Sequence, residues 1–162
     1  MSVDQVGNIR DSLTMNRLES RFQDYELYHQ SRGNKWMHYL GIPMIVVTLF
    51  GLLSHLVLIG QASDFYRLDV ALCVICLASI FYLILDYQWG GALIPVLLGC
   101  YFLGRTLDSP VLWGFFLLGW VFQFVGHGIY EKKSPAFLHN LQHLLIGPLW
   151  VFVALFRSRS SA

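Results

Sequence analysis

The sequence predicts an all-α protein: a polytopic integral membrane helical bundle with four to five membrane-embedded helices and an amino-terminal interfacial helix. Two observations carry this. Hydrophobic residues make up 56% of the chain and charged residues 13%, against roughly 45–50% and about 25% in soluble globular domains. The excess is gathered into uncharged blocks, which separates a membrane protein from a greasy soluble one. A length of 162 residues fits one integral membrane domain spanning 1–162.

Residues 1–39 form a polar interfacial region with both signs of charge. They lack a short apolar core followed by a small-residue cleavage site, so no removable signal peptide is expected. Within it, 9–30 is helix-compatible, with Leu18, Phe22 and Tyr25 recurring at helical spacing. Gly33 and Asn34 predict a break. The first span is 40–60, without charge across 21 residues, and roughly 20 residues suffice to cross. A loop leads to 70–85, which is short but can span when its flanks snorkel. Asp86 to Trp89 mark a tight turn before 90–104, and another loop precedes 110–126, rich in Trp and Phe. Residues 127–143 form a loop and helix, with Pro135 separating two helical turns. The last block, 144–156, is interrupted by Gly147-Pro148 and fits a short span, a re-entrant segment or an interfacial helix.

Charge bias gives the sidedness. Five Lys or Arg precede the first span and Lys132 and Lys133 follow the fourth, against Arg67 and Arg105 between spans; the larger group is expected in the cytoplasm. Four crossings return the chain to its starting side. His29 and His38 therefore meet His127, His139 and His143 on one face, five of the six histidines. His127 and Glu131 are four apart, as are His139 and His143, so each pair projects from one helical face. Converging imidazoles are a metal site in outline, because imidazole binds Fe, Zn and Cu. His55 lies inside the first block and reads as a partner in a helix–helix hydrogen bond.

Other chemistry is missing from the sequence. The net charge of +1 gives no basic surface for nucleic acid. There is no G-x-G-x-x-G, G-x4-G-K-[ST], C-x-x-C-H or G-x-S-x-G element. Cys73, Cys76 and Cys100 all lie in apolar blocks, where they read as packing rather than a disulfide framework. A ligand set of histidines with one carboxylate and no cysteine favours non-haem iron, with zinc close behind on ligand type.

Specific short motifs link these elements: Tyr28-His29, Asn34 and His38, then Gly41-Ile-Pro43, Trp120-Val-Phe-Gln123-Phe-Val-Gly126-His127, Glu131, Pro135-Ala136 and Gly147-Pro148. The pattern, from about Leu18 to Phe156, resembles the 2-hydroxy fatty acid dioxygenases of phytosphingosine metabolism. The resemblance implies an Fe(II) enzyme, with Fe(2+) as cofactor, that shortens a long-chain 2-hydroxy fatty acid by one carbon with O2. Membrane lipid is its surroundings, in the cytoplasmic membrane of a bacterium or the endoplasmic reticulum of a eukaryote. The conversion takes all its reducing equivalents from the acid, which agrees with the absent nucleotide motifs. On this resemblance His29, His38, His127 and His143 are the expected ligands, with His139 as a further candidate. Glu131 is expected to accept an imidazole N–H and so fix its tautomer. Asn34 and Gln123 would hold substrate or water.

Two other classes stay open at this point. A di-iron histidine-box hydroxylase or desaturase also gathers histidines on one membrane face, and His139-x3-His143 fits one such box, but the other boxes are missing. A small membrane transporter or haem-binding protein would place its histidines facing one another within spans.

Overall fold

The computed structural model describes residues 17–61, 63–135 and 140–157. The described chain is nearly all helical, as expected, with helices α1 (Arg17–Glu26), α2 (Arg32–Ser54), α3 (Val70–Leu85), α4 (Tyr87–Arg105), α5 (Ser109–Val125) and α6 (Gln142–Arg157). A short antiparallel pair, β1 (Val57–Ile59) and β2 (Leu68–Asp69), joins α2 to α3.

Local chemistry sets the boundaries. Leu18, Phe22 and Tyr25 form a buried stripe on α1, the i, i+4, i+7 pattern of an amphipathic helix. This helix ends at Glu26, before the expected 30, and the expected residues 9–16 lie outside the described residues. Ser31 caps α2, its side chain accepting from the Asn34 amide. The break expected at Gly33 is absent, because Gly33 sits inside α2 where a Cβ would collide with the Tyr130 ring. The helix thus begins well before residue 40 and stops at Ser54, and the rest of the expected first span becomes β1. His55 is the exposed carboxy-terminal cap of α2 rather than a buried interhelical partner. Asp69 caps α3 by accepting from Leu72, and Asp86 caps α4 by accepting from Gln88 and Trp89.

Two described helices are long and apolar enough to cross a membrane, Arg32–Ser54 and the continuous Ser109–Glu131, each of 23 residues. At 1.5 Å per residue that is about 34 Å, a full hydrocarbon layer. α3 and α6 are apolar but shorter. The two long helices run side by side, and glycine lets them do so. A Cβ on Gly41 of α2 would lie 2.9 Å from the Gly119 carbonyl of α5, the close approach that small residues permit between membrane helices. Outward faces carry exposed Leu77, Ile84, Leu103 and Leu117. On the inner side, the Tyr82 hydroxyl donates to the Leu145 carbonyl at 2.8 Å and ties α3 to α6.

After Val125 the helix widens into a π-helical turn, Gly126–Glu131, which ends at Lys132 with φ of 54°. Such single turns recur at functional sites. The turn carries His127 and Glu131 and replaces the α-helical turn that their spacing implied.

Candidate metal centre

Three segments bring histidines together: the connection between α1 and α2, the second turn of α2, and the π-helical turn. His29, His38 and His127 each offer a ring nitrogen within 4.8 Å of the other two. All three residues are buried, and their rings stand edge to face with centroids 4.4 to 4.9 Å apart.

Hydrogen bonds fix the tautomers of two of them. His29 Nδ1 lies 2.6 Å from the Tyr25 carbonyl and His38 Nδ1 lies 2.9 Å from the Asn34 carbonyl. A carbonyl only accepts, so each Nδ1 carries the hydrogen and each Nε2 is a bare lone pair. Those two Nε2 atoms face each other at 3.0 Å. Lone pairs so close repel unless a cation or proton lies between them, so the arrangement is built for a positive guest. Three imidazole nitrogens held this close fit a divalent first-row ion.

Burial, with the neighbouring His38 adding to it and the Tyr25 carbonyl opposing it, lowers the His29 pKa from 6.5 to about 3. The ring is neutral and ready to coordinate at neutral pH. Tyr25 stacks on it, with centroids 3.9 Å apart and planes 7° from parallel. The spacing of Tyr25 and His29, four residues, was available in the sequence as a signal for this support.

The expected imidazole partner of Glu131 is a correction. Its carboxylate accepts from the backbone amides of Gln30 and Ser31, at 3.1 and 3.0 Å, and from Asn34 Nδ2 at 3.2 Å. Backbone carbonyls take the Nδ1 hydrogens of His29 and His38 instead. Glu131 therefore latches the His29 connection onto the turn that carries His127. Asn34 belongs to the same latch, donating also to the Tyr28 carbonyl at 3.2 Å. Gly126 leaves room for it, since a Cβ there would collide with the Asn34 carboxamide.

His143, expected as a fourth ligand, stands outside the group of three. Its Nε2 lies 3.2 Å from Asp24 Oδ2, a partner that no local pattern in the sequence marks. His139 lies outside the described residues. Gln123 is buried one helical turn before His127, and its Nε2 has no hydrogen-bond partner.

The histidines open onto a cavity of about 250 Å³ between α2, α3, α5 and α6. Its wall is apolar along Ile42, Leu49, Phe50, Ala78, Phe116 and Trp120, and polar only where Tyr25, Tyr82, Gln123 and the four histidines line it. No Lys, Arg, Asp or Glu is among its described lining residues. The cavity thus joins a mostly apolar wall to a cluster of imidazole nitrogens.

Residues 15–159 match the family described as 2-hydroxy-palmitic acid dioxygenase Mpo1-like. The chain belongs to this family. The 2-hydroxy-palmitic acid dioxygenase MPO1 of Saccharomyces cerevisiae is 30% identical over 139 residues, covering 83% of this chain and 76% of the yeast protein. No solved structure matches the chain. The resemblance drawn from the motifs is thereby upheld, and a dioxygenase of the Mpo1-like family is an oxidoreductase.

Proposed function

We propose that this protein is an Fe(II)-dependent dioxygenase that shortens long-chain 2-hydroxy fatty acids by one carbon. The single observation that carries the reading is the trio of buried imidazoles, two of them with bare nitrogens facing each other, at the polar end of an apolar cavity. His29, His38 and His127 would hold the ion, and the ion would supply the one-electron chemistry that lets O2 react with an organic acid. The overall conversion of R-CHOH-COOH and O2 to R-COOH, CO2 and water balances in atoms and electrons without a further reductant.

The residues orient the substrate by exclusion. With no Lys or Arg in the described wall, the acid's carboxylate would find its countercharge at the ion held by the histidines, leaving the tail to the apolar wall of Leu49, Phe50 and Phe116. Gln123, with an unpartnered buried amide in the same wall, would donate to a substrate oxygen. Asn34 and Glu131 hold the ligand segments together. The apolar lining keeps bulk water from the reacting head.

We further propose that α2, α3, α4 and α5 cross the membrane as one domain, with the histidines toward the cytoplasmic face and α6 as a short final membrane segment. The exposed apolar side chains on the outward faces of α3, α4 and α5 support this. Reporters fused after Arg32 and after Lys133 are expected on the same side. For the chemistry, detergent-purified protein given Fe(II), O2 and carboxyl-labelled 2-hydroxypalmitate should release labelled CO2 and an acid one carbon shorter without NAD(P)H. Absence of both products unless a reductant is added would overturn the proposed reaction.

A further inference from the structure

His143 is a buried histidine that the three-imidazole group does not use. It is 8% exposed, lines the cavity, and lies beside the rings of Tyr25 and Tyr28, each 5.7 Å away. Its Nε2 meets Asp24 Oδ2 at 3.2 Å, while its Nδ1 is buried and has no partner. A carboxylate oxygen accepts, so Nε2 donates to Asp24, and in the tautomer that this bond selects the lone pair is at Nδ1. A buried acceptor without a donor is a penalty, so the cavity favours a guest that brings an O–H or N–H to it.

Resting on the reading that the cavity takes a 2-hydroxy acid, we propose that Nδ1 of His143, oriented by Asp24, accepts the hydrogen bond of the 2-hydroxyl and makes the site selective for 2-hydroxy acids over plain fatty acids. The acid's carboxylate is a poor match for this nitrogen, because it has only lone pairs to offer. The 2-hydroxyl is the one donor that distinguishes the substrate head from that of an ordinary fatty acid. A plain acid would leave Nδ1 dry and unpaired, which is the type of mismatch that hydrogen-bonding sites reject most strongly.

The test is binding without turnover. Wild type, His143→Phe and Asp24→Ala are loaded with Fe(II) under nitrogen, their metal content is measured, and affinities for 2-hydroxypalmitate and palmitate are compared. Wild type should prefer the hydroxy acid by about 10-fold or more. His143→Phe should keep its metal and bind both acids alike, and Asp24→Ala should fall between. Loss of metal from His143→Phe would overturn the proposal by making His143 a ligand. An equal loss of affinity for both acids would overturn it by assigning His143 to the carboxylate, and an intact preference would mean that the hydroxyl is read elsewhere. If His143→Phe does not fold, Asp24→Ala decides, and an unchanged preference there overturns the proposal. Wild type that binds neither acid would sink the substrate assignment itself, whereas wild type that binds both equally would sink only the selectivity.

Discussion

Helix α2 has a polar cluster buried at each end, and the two differ in how complete they are. At the Ser54 end, Arg67 donates from Nε to Asp69 Oδ2 at 3.2 Å and from its terminal nitrogen to the Ser54 carbonyl at 2.9 Å. Tyr101 gives its hydroxyl to the same Asp69 oxygen at 2.7 Å, and the Leu72 amide takes the other. Asp69 is fully buried, and no atom of this cluster is left without a partner. At the His38 end, Asn34 Oδ1, Gln123 Nε2, His127 Nδ1 and His143 Nδ1 are all buried and unpartnered. A structural polar cluster satisfies itself, because each unpaired group in an apolar interior is a penalty. A site that takes a guest leaves groups open for that guest.

The sharpest way to break this contrast is to remove a ligand. His38→Ala and His127→Ala should each lose the metal and all measurable turnover while the protein still elutes as folded material, checked by metal analysis and product assay. Retention of wild-type metal by both would end the assignment. At the other end, Arg67→Ala should leave the buried Asp69 carboxylate without its cation and cost about 3–5 kcal/mol of stability. Denaturation in detergent would measure it, with metal content per folded chain unchanged.

Acid should also tell the ends apart. The unfolded chain protonates His29 near 6.5 and the folded chain only near 3, so below about pH 6.5 the unfolded state binds the additional proton. Stability of the metal-free protein should fall as pH drops from there toward 3 and be fully present above it. His29→Phe should make that slope shallower. Glu131→Gln weakens the latch on the His29 connection and is expected to cost about 10–100-fold in metal affinity, the usual effect of disturbing a group that orients ligands. The smallest effect belongs to His55→Ala, which should change stability by no more than about 0.5 kcal/mol and leave activity alone, since that ring is exposed.

The meeting of His29, His38 and His127 matches the expectation that these histidines share a face, but the sequence grouped His139 and His143 with them and gave no means of separating His143 from the three. Glu131 was legible as a neighbour of the site and not in its contacts. Helical spacing of 3.6 pairs it with His127, but the π-helical turn redirects it to the Ser31 and Gln30 amides. The pairing of His143 with Asp24 spans 119 positions, a distance over which spacing carries no information. The β1–β2 hairpin was hidden for a different reason. Val57 to Ile59 continue the apolar run of α2 without a charge, and a short apolar run does not distinguish helix from strand.

The position of His127 bears on how the protein matures. Its two partner histidines are made early, and roughly ninety residues of chain, including α3, α4 and all of α5, separate them from it. A nascent chain that ends after α2 holds two of the three imidazoles, and those two nitrogens repel. The third arrives only once the helix carrying it has packed beside α2. On the proposed reading, metal acquisition would be a late event in biogenesis, and the ion that closes the trio would act as a clamp between the first and second halves of the polypeptide.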